Sequence, residues 1–542
     1  MIDHIYLPVK DIDRSLQFYA ALLTPLDFAG RWDFKGQDGW PDLYGFGGDR
    51  PRFWLKRSTT TFPELYVAFI ATSTEAVEKA YAAALANGGA DNGAPGPRPQ
   101  FSDGYYAANV LDPDGYSLEI CFKPWLYDGS DPVSSRAQRQ PTEGHDVRTA
   151  PPTQQQAGGD MGEIRPFRVE VHEAAIDDLR GRLAGTRWPE REPVGGWSMG
   201  IPLAYVQELA GYWAKSYEMR RVAGRLNRYE QFLTTIDGVD VHFLHVRSPV
   251  AGATPCVMTH GWPGSVIEFI KVIDPLVDPV GHGGEASDAL ELVIPSLPGY
   301  GWSGKPTVTG WNVEKIAQAW IELMDRLGYE RWVAQGGDWG ALVSSAIGRL
   351  ADPAKLIGIH VNWAVADPAK LTELGGPNEE EQRYLARLRH SSEAEGGYLV
   401  EQATKPQTLG YGLTDSPAGQ LAWIVEKFKT WSDCGDDLES SFTKDELLDN
   451  VMVYWLNAAA ASSARLYWHS LASSVGSFDE VPAPSAYSRF PADNVALSER
   501  WARTRFTDLR YYGTPARGGH FAAYEAPGEF VAEVRAGLRA LI

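Results

Sequence analysis

Residues 335–340 read Gln-Gly-Gly-Asp-Trp-Gly, and this string constrains the fold of the chain more tightly than any other. Its form, glycine–x–nucleophile–x–glycine, fits a sharp turn from a strand into a helix that presents the central side chain. Gly336 and Gly340 lack the Cβ that such a turn has no room for. The central residue is Asp338, where an ester-cleaving enzyme would carry serine. A carboxylate in that position is suited to attack a strained or activated saturated carbon and to become an alkyl ester itself. That chemistry points to epoxides or alkyl halides. A buried aspartate capping a helix is the competing reading of the same string.

The flanking sequence supplies the strand and helix that the turn requires. Apolar strands at 255–259 and 290–294 run into the loops His260-Gly-Trp-Pro-Gly-Ser265 and Pro298-Gly-Tyr-Gly-Trp-Ser-Gly304. A helix follows with Val313, Ile316, Trp320, Ile321, Met324 and Leu327 on one side, ended by Gly328. A strand at 331–334 enters the turn, a helix at 341–350 leaves it, and a strand at 355–362 comes next. This alternation predicts a parallel sheet covered on both faces. Residues 365–480 break it with a helical stretch rich in Trp and Tyr, read as a cap. The alternation resumes when 485–490 leads to Asp493 and 509–512 leads to Arg517-Gly-Gly-His520. Nucleophile, acid, histidine is the order of an α/β-hydrolase. His520 follows a strand in a glycine loop, whereas His360 lies inside a strand and His260 suits the ordering of its own loop. Asp493 follows a strand, whereas Asp508 is read as preceding one, at the wrong edge of the sheet.

The front of the chain divides differently. Residues 127–162 are Pro-, Gln-, Ser- and Gly-rich without apolar period and read as a linker. Residues 163–250 form a lead-in, with helices at 172–185 and 203–217 and a strand at 239–246. Residues 1–126 read as two similar halves. Strands are expected at 4–9, 52–56, 65–71, 105–111 and 116–122, with helices at 13–23 and 74–87. Asp112-Pro-Asp-Gly115 is a hairpin signal. The opening DHIYLPVKDIDRSLQFY and the closing YYAANVLDPDGYSLEI resemble a vicinal oxygen chelate domain, the glyoxalase and bleomycin-resistance superfamily. That resemblance implies an α+β domain of paired βαβββ modules. His4 and Glu119 match two of the family's four metal-ligand positions. Tyr66 stands where histidine is usual, and 52–56 holds no acid. Two ligands are too few for a catalytic ion, so no metal is expected. The aromatics Trp54, Tyr66, Tyr105 and Tyr106 would suit a cup for a hydrophobic molecule.

A chain of 542 residues is expected to hold two or three domains. Its net charge of −20 argues against nucleic acid and anionic membranes as partners. Cys121, Cys256 and Cys434 form no disulfide framework. The sequence shows neither a charged-then-apolar leader nor 18 uninterrupted apolar residues.

Residues 163–542 resemble an epoxide hydrolase of the microsomal type. The strings that carry the resemblance are HGWPGS, GYGWS, GGDWG, TKPQTLGYGLTDSP, EKFKTW, VYWLNAAAASSARLY, FPAD and RGGHFAAYE. It implies an α/β-hydrolase core at 251–542, capped at about 365–480, with 163–250 as the family's N-terminal segment. It implies Asp338 as nucleophile, His520 as general base, Asp493 as orienting acid and Tyr398 and Tyr467 as proton donors. Trp262 and Trp339 would supply the oxyanion hole. The expected substrate is a small hydrophobic epoxide, hydrolysed to a vicinal diol with no cofactor. Members from endoplasmic reticulum begin with a membrane anchor. Here the front domain stands in its place, so a cytoplasmic location is expected, and the oligomeric state is left open. A haloalkane dehalogenase, or a metabolite-binding protein with an inert hydrolase half, are the alternatives.

Overall fold

The chain divides into two compact units, Met1–Val147 and Arg148–Ile542. The computed structural model describes residues 5–26, 28, 30–34, 42–47, 51–57, 66–98, 104–123, 162–471 and 478–542. The linker read at 127–162 lies outside these residues apart from its last position.

In the first unit, β1 (Ile5–Val9), the helix Ile12–Leu23, β2 (Gly30–Phe34), β3 (Leu43–Gly47) and β4 (Pro51–Arg57) form one half. The second half is β5 (Tyr66–Ala71), the helix Thr74–Ala86, β6 (Ala90–Pro97), β7 (Tyr106–Leu111) and β8 (Ser117–Phe122). The sheets have the orders β1-β4-β3-β2 and β5-β8-β7-β6, so each half is a βαβββ module. The sequence reading did not resolve β2, β3 and β6. Gly, Asp, Asn and Pro in Gly30–Phe34 and Ala90–Pro97 mask the strand signal. Asp11 and Ser73 cap the two helices by accepting the N–H groups of Arg14 and Ala76. Asp112 closes the β7–β8 turn by accepting the Asp114 and Tyr116 N–H groups, and Tyr19 donates to it at 2.7 Å from the first helix.

The second unit holds β9 (Arg165–Phe167), β10 (Gln231–Ile236), β11 (Val239–Val246), β12 (Thr254–Thr259), β13 (Leu290–Pro295), β14 (Trp332–Gly336), β15 (Leu356–Val361), β16 (Val481–Ser488) and β17 (Phe506–Gly513). They form one sheet in the order β17-β16-β15-β14-β12-β13-β11-β10-β9. The strands from β12 to β17 run parallel, but β9, β10 and β11 are antiparallel to their neighbours. The strands from 255 onward thus form the parallel sheet expected of them, and the lead-in adds an antiparallel edge to it. Asp237-Gly238, both at positive φ, join β10 to β11 as a tight hairpin, and a hairpin pairs antiparallel.

The amphipathic helix Val313–Arg326 buries Ile316, Trp320, Leu323 and Met324 against the sheet. The Trp320 indole donates to Thr259 Oγ1 at 3.1 Å and fixes the end of β12. Between β15 and β16 the chain makes the cap, including the helices Gly397–Thr404, Pro417–Trp431, Lys444–Leu456 and Ala460–Leu471. The lead-in packs onto it. Buried Asp449 accepts from Tyr217 at 2.8 Å and from Arg221 and Arg225 at 3.1 and 2.8 Å. Among the described residues no helix is long and apolar enough to cross a membrane.

Candidate active site

Asp338 sits between β14 and the helix Trp339–Leu350 with φ +51° and ψ −125°. A non-glycine residue there costs about 1–3 kcal/mol, which the surrounding packing must offset. The turn is enforced from three sides. A Cβ on Gly336 would lie 2.1 Å from Gly340 O, one on Gly340 1.9 Å from Thr259 O, and one on Gly261 2.2 Å from Asp338 Oδ1. Gly261 thus lets the loop after β12 close on the carboxylate. The Trp262 N–H then donates to Asp338 Oδ1 at 2.8 Å. Trp339 opens the helix, so its N–H is among the first-turn donors that lack an intrahelical acceptor.

On the other carboxylate oxygen, His520 Nε2 lies 3.4 Å from Asp338 Oδ2. His520 Nδ1 lies 3.0 Å from Asp493 Oδ1. His520 and Asp493 are buried. Burial opposes charge on the imidazole, but Asp493 and Asp338 outweigh it and raise its pKa well above the ordinary histidine value. The two other histidines weighed in sequence are neutral. Burial pushes His260 down to about 4 and His360 to about 3. His260 accepts the Leu297 N–H at Nε2 (3.2 Å) and holds its own loop through Gly261 O (2.9 Å). Asp508 departs from expectation. It lies inside β17, half-buried and paired with Arg510, because β17 starts three residues earlier than the apolar pattern shows.

The two cap tyrosines reach the same place. The Tyr398 ring stacks on Trp262 with centroids 5.1 Å apart at 6°. The Tyr467 ring stands edge-on to Trp339 at 4.7 Å and to Trp262 at 5.9 Å, and the two tyrosine rings are 6.0 Å apart. Burial, with Tyr398 and Asp338 adding for Tyr467 and Asp338 for Tyr398, raises both phenols above their ordinary value, so both keep their protons at neutral pH. The GYGWS loop anchors the Tyr467 helix. Ser462 Oγ donates to Gly299 O at 2.6 Å and Tyr300 to Ser463 O at 3.1 Å.

Several residues of this centre escaped the sequence reading. A pocket lined by Gly261, Trp262, Glu268, Asp338, Asn362, His520 and Phe521 opens beside the Asp338 carboxylate. The free surface of Glu268 lies in it, and burial pushes its carboxyl up to about 8. The available signal was an acid inside the apolar run Val266–Phe269. Glu525 is a second buried acid, pushed up to about 7 by burial. It accepts the N–H groups of Asp433 (2.6 Å) and Phe521 (3.1 Å) and so ties the histidine loop to the end of a cap helix. The His520 N–H donates to Trp431 O at 2.8 Å and the Gly518 N–H to Asp433 Oδ2 at 3.0 Å.

The remaining candidates belong to the first unit. His4 lies outside the described residues. Glu119 is buried in β8 and accepts from Tyr105 at 3.2 Å. No group of three or more metal-ligating side chains occurs among the described residues.

The sheet, the strained turn and the His520 relay define an α/β-hydrolase. Family models agree in segments: "Epoxide hydrolase N terminus" matches 164–269, "alpha/beta hydrolase fold" matches 254–359, and the glyoxalase/bleomycin resistance protein/dioxygenase superfamily matches 1–120. A Stigmatella aurantiaca protein named "Putative epoxide hydrolase" is 50% identical over 380 residues, 70% of this chain and 85% of that protein. "Epoxide hydrolase 1" of Oryctolagus cuniculus is 36% identical over 392 residues, 67% of this chain and 86% of that protein. The juvenile hormone epoxide hydrolase structure from Bombyx mori superposes with a TM-score of 0.64 at 32% identity, covering 70% of this chain and 94% of that one. The chain belongs to the epoxide hydrolase family, with a glyoxalase-like domain at its front.

Proposed function

We propose that Asp338 attacks a carbon of a small hydrophobic epoxide and carries it as an ester, and that His520 then drives water onto that ester to release a vicinal diol. One observation carries this reading: the carboxylate is held by a backbone N–H on Oδ1 and faces the imidazole through Oδ2. In the first half-reaction an Asp338 oxygen bonds to carbon as the ring C–O bond breaks. Its electron pair stays on the epoxide oxygen, which takes a proton from Tyr398 or Tyr467. Such acid catalysis contributes about 10²–10⁴-fold, and phenols suit an alkoxide leaving group better than a halide. Ester formation neutralises Asp338. His520 thereby loses one of the two carboxylates that keep it charged and becomes available as a base. Its proton restores the phenolate, so epoxide and water balance the diol.

In the second half-reaction His520, oriented by Asp493, removes a proton from water, and the water oxygen attacks the Asp338 ester carbon; the tetrahedral carbon then collapses, breaking its C–O bond to the diol, whose oxygen takes the proton of the new hydroxyl and leaves Asp338 a carboxylate. The oxyanion forms on Asp338 itself, against the Trp262 and Trp339 N–H groups, each worth about 3–4 kcal/mol. Neutral Glu268, across the pocket from His520, can hydrogen-bond that water. Phe269, Phe521 and Phe530 give the pocket an apolar wall, which supports a hydrophobic substrate. In this assignment 1–126 is a separate module, 163–250 the lead-in and 251–542 the capped core. Three free, buried cysteines fit a cytoplasmic setting.

Intact-mass analysis of His520→Gln with styrene oxide tests the reading. The expected result is an adduct equal to the substrate mass that disappears in the double variant with Asp338→Ala. An unmodified chain under conditions where wild type makes diol would overturn the ester route.

A further inference from the structure

Lys427 is a buried lysine that the two half-reactions leave unused, with its side chain 6% exposed. It lies on the cap helix Pro417–Trp431, one turn before Trp431. Its ammonium stands 4.9 Å from the centre of the Tyr398 ring and 5.8 Å from that of Trp431. A charge taken this far from water is costly unless its setting compensates it. Glu426 supplies one partner at 2.7 Å and Glu395 another at 3.5 Å, the latter from the short π-helix Ser391–Glu395. Single turns of π-helix occur often at functional sites.

The two acids do not simply cancel the lysine. Burial pushes the Glu426 carboxyl up against the pull of Lys427, and Glu395 raises it further through charge and a hydrogen bond. The ammonium is the member of this set placed over the Tyr398 ring. When Tyr398 gives its proton to the opening epoxide, negative charge spreads from its oxygen into the ring. A cation over the ring face stabilises that charged ring more than the neutral phenol.

We propose that Lys427 is a positioning and electrostatic residue for the proton donor Tyr398, and that it acts on opening of the epoxide ring and not on hydrolysis of the ester. This rests on the assignment of Tyr398 made above. The bond changes are those already given: Asp338 O–C forms, ring C–O breaks, and the phenol proton moves to the departing oxygen. Lys427 exchanges no proton. It favours the phenolate and keeps the ring face fixed beside Trp262.

Stopped-flow and quenched-flow measurement of ester formation and ester hydrolysis with styrene oxide tests this, using the full chain. Lys427→Met is expected to slow ester formation about tenfold, the size of a desolvated cation–ring contact, while ester hydrolysis stays within about twofold. Lys427→Arg, which keeps the cation, is expected to recover ester formation to within about threefold. In a Tyr398→Phe background the effect of Lys427→Met should shrink to less than about twofold, since the group it acts through is gone. Equal slowing of both half-reactions, a full effect retained without the phenol, or no rescue by arginine would each overturn the proposal. If Lys427→Met does not fold, Lys427→Gln, which is neutral and polar, replaces it in the same comparison. Wild type and Tyr398→Phe alone are measured in the same runs, so failure of the parent assignment shows as unslowed ester formation in Tyr398→Phe, and failure of the ester route as no ester in any chain.

Discussion

The two units carry equally clear fold signatures and very unequal chemistry. In the front unit the two βαβββ halves share one apolar core, and the one recognisable ligand-type acid with a described position, Glu119, is engaged by Tyr105. In the hydrolase unit seven residues from six separated segments converge on one carboxylate. A fold can be retained while its chemistry is replaced, because packing depends on the apolar positions and reaction depends on a handful of others. What separates the two units is convergence of polar groups, and substitutions should register it.

Asp338→Ala should lower the rate of diol formation by at least about 10⁴-fold, measured with styrene oxide, whereas Glu119→Gln should leave it within about twofold. A comparable loss in Glu119→Gln would break the contrast. Tyr398→Phe and Tyr467→Phe should each slow ester formation by about 10–100-fold, and the double variant by more. Hydrolysis of the formed ester, followed by tryptophan fluorescence, should be spared.

Backbone crowding gives a stability version of the comparison. Gly340→Ala places a methyl 1.9 Å from a backbone oxygen and should cost several kcal/mol, about 3 or more. Gly89→Ala in the front unit meets the Phe18 ring at 2.8 Å and two backbone oxygens at 3.0 Å, a looser fit than at Gly340, and should cost less, about 1–3 kcal/mol. Urea titration with a probe in each unit distinguishes them. The smallest expected effect concerns pH. The folded pKa of Glu268, about 8, stands above its ordinary 4.5. The unfolded chain therefore gives up this proton first, and stability falls as pH rises between those values. Glu268→Gln should flatten that part of the stability–pH curve by an amount on the order of 1–3 kcal/mol, with Glu119→Gln leaving it unchanged.

Much of the hydrolase unit was legible in sequence because its strands are apolar runs bounded by glycine loops, and because GGDWG and GGH report their own backbone needs. The antiparallel edge was not, since a two-residue Asp-Gly turn carries the whole signal for β10. Asp508 was misplaced because its strand begins with the mixed Phe-Thr-Asp. Glu268, Glu525 and Lys427 were invisible for a common reason. A buried charge reads as surface until its partners, which lie up to 92 residues away for Asp433 and Glu525, are known. In the front unit, strands rich in Gly and Asp were lost for want of side chains to show alternation.

The fastening of the histidine loop to the Trp431–Asp433 corner has a consequence for traffic. Three hydrogen bonds join the His520 loop and its neighbour Glu525 to the same corner of the lid. A lid swinging open as one plate would pull the imidazole off its aspartate on every cycle. An opening confined to the short helices around Tyr398 would leave the Trp431 corner standing as the doorpost, with the imidazole undisturbed beside it.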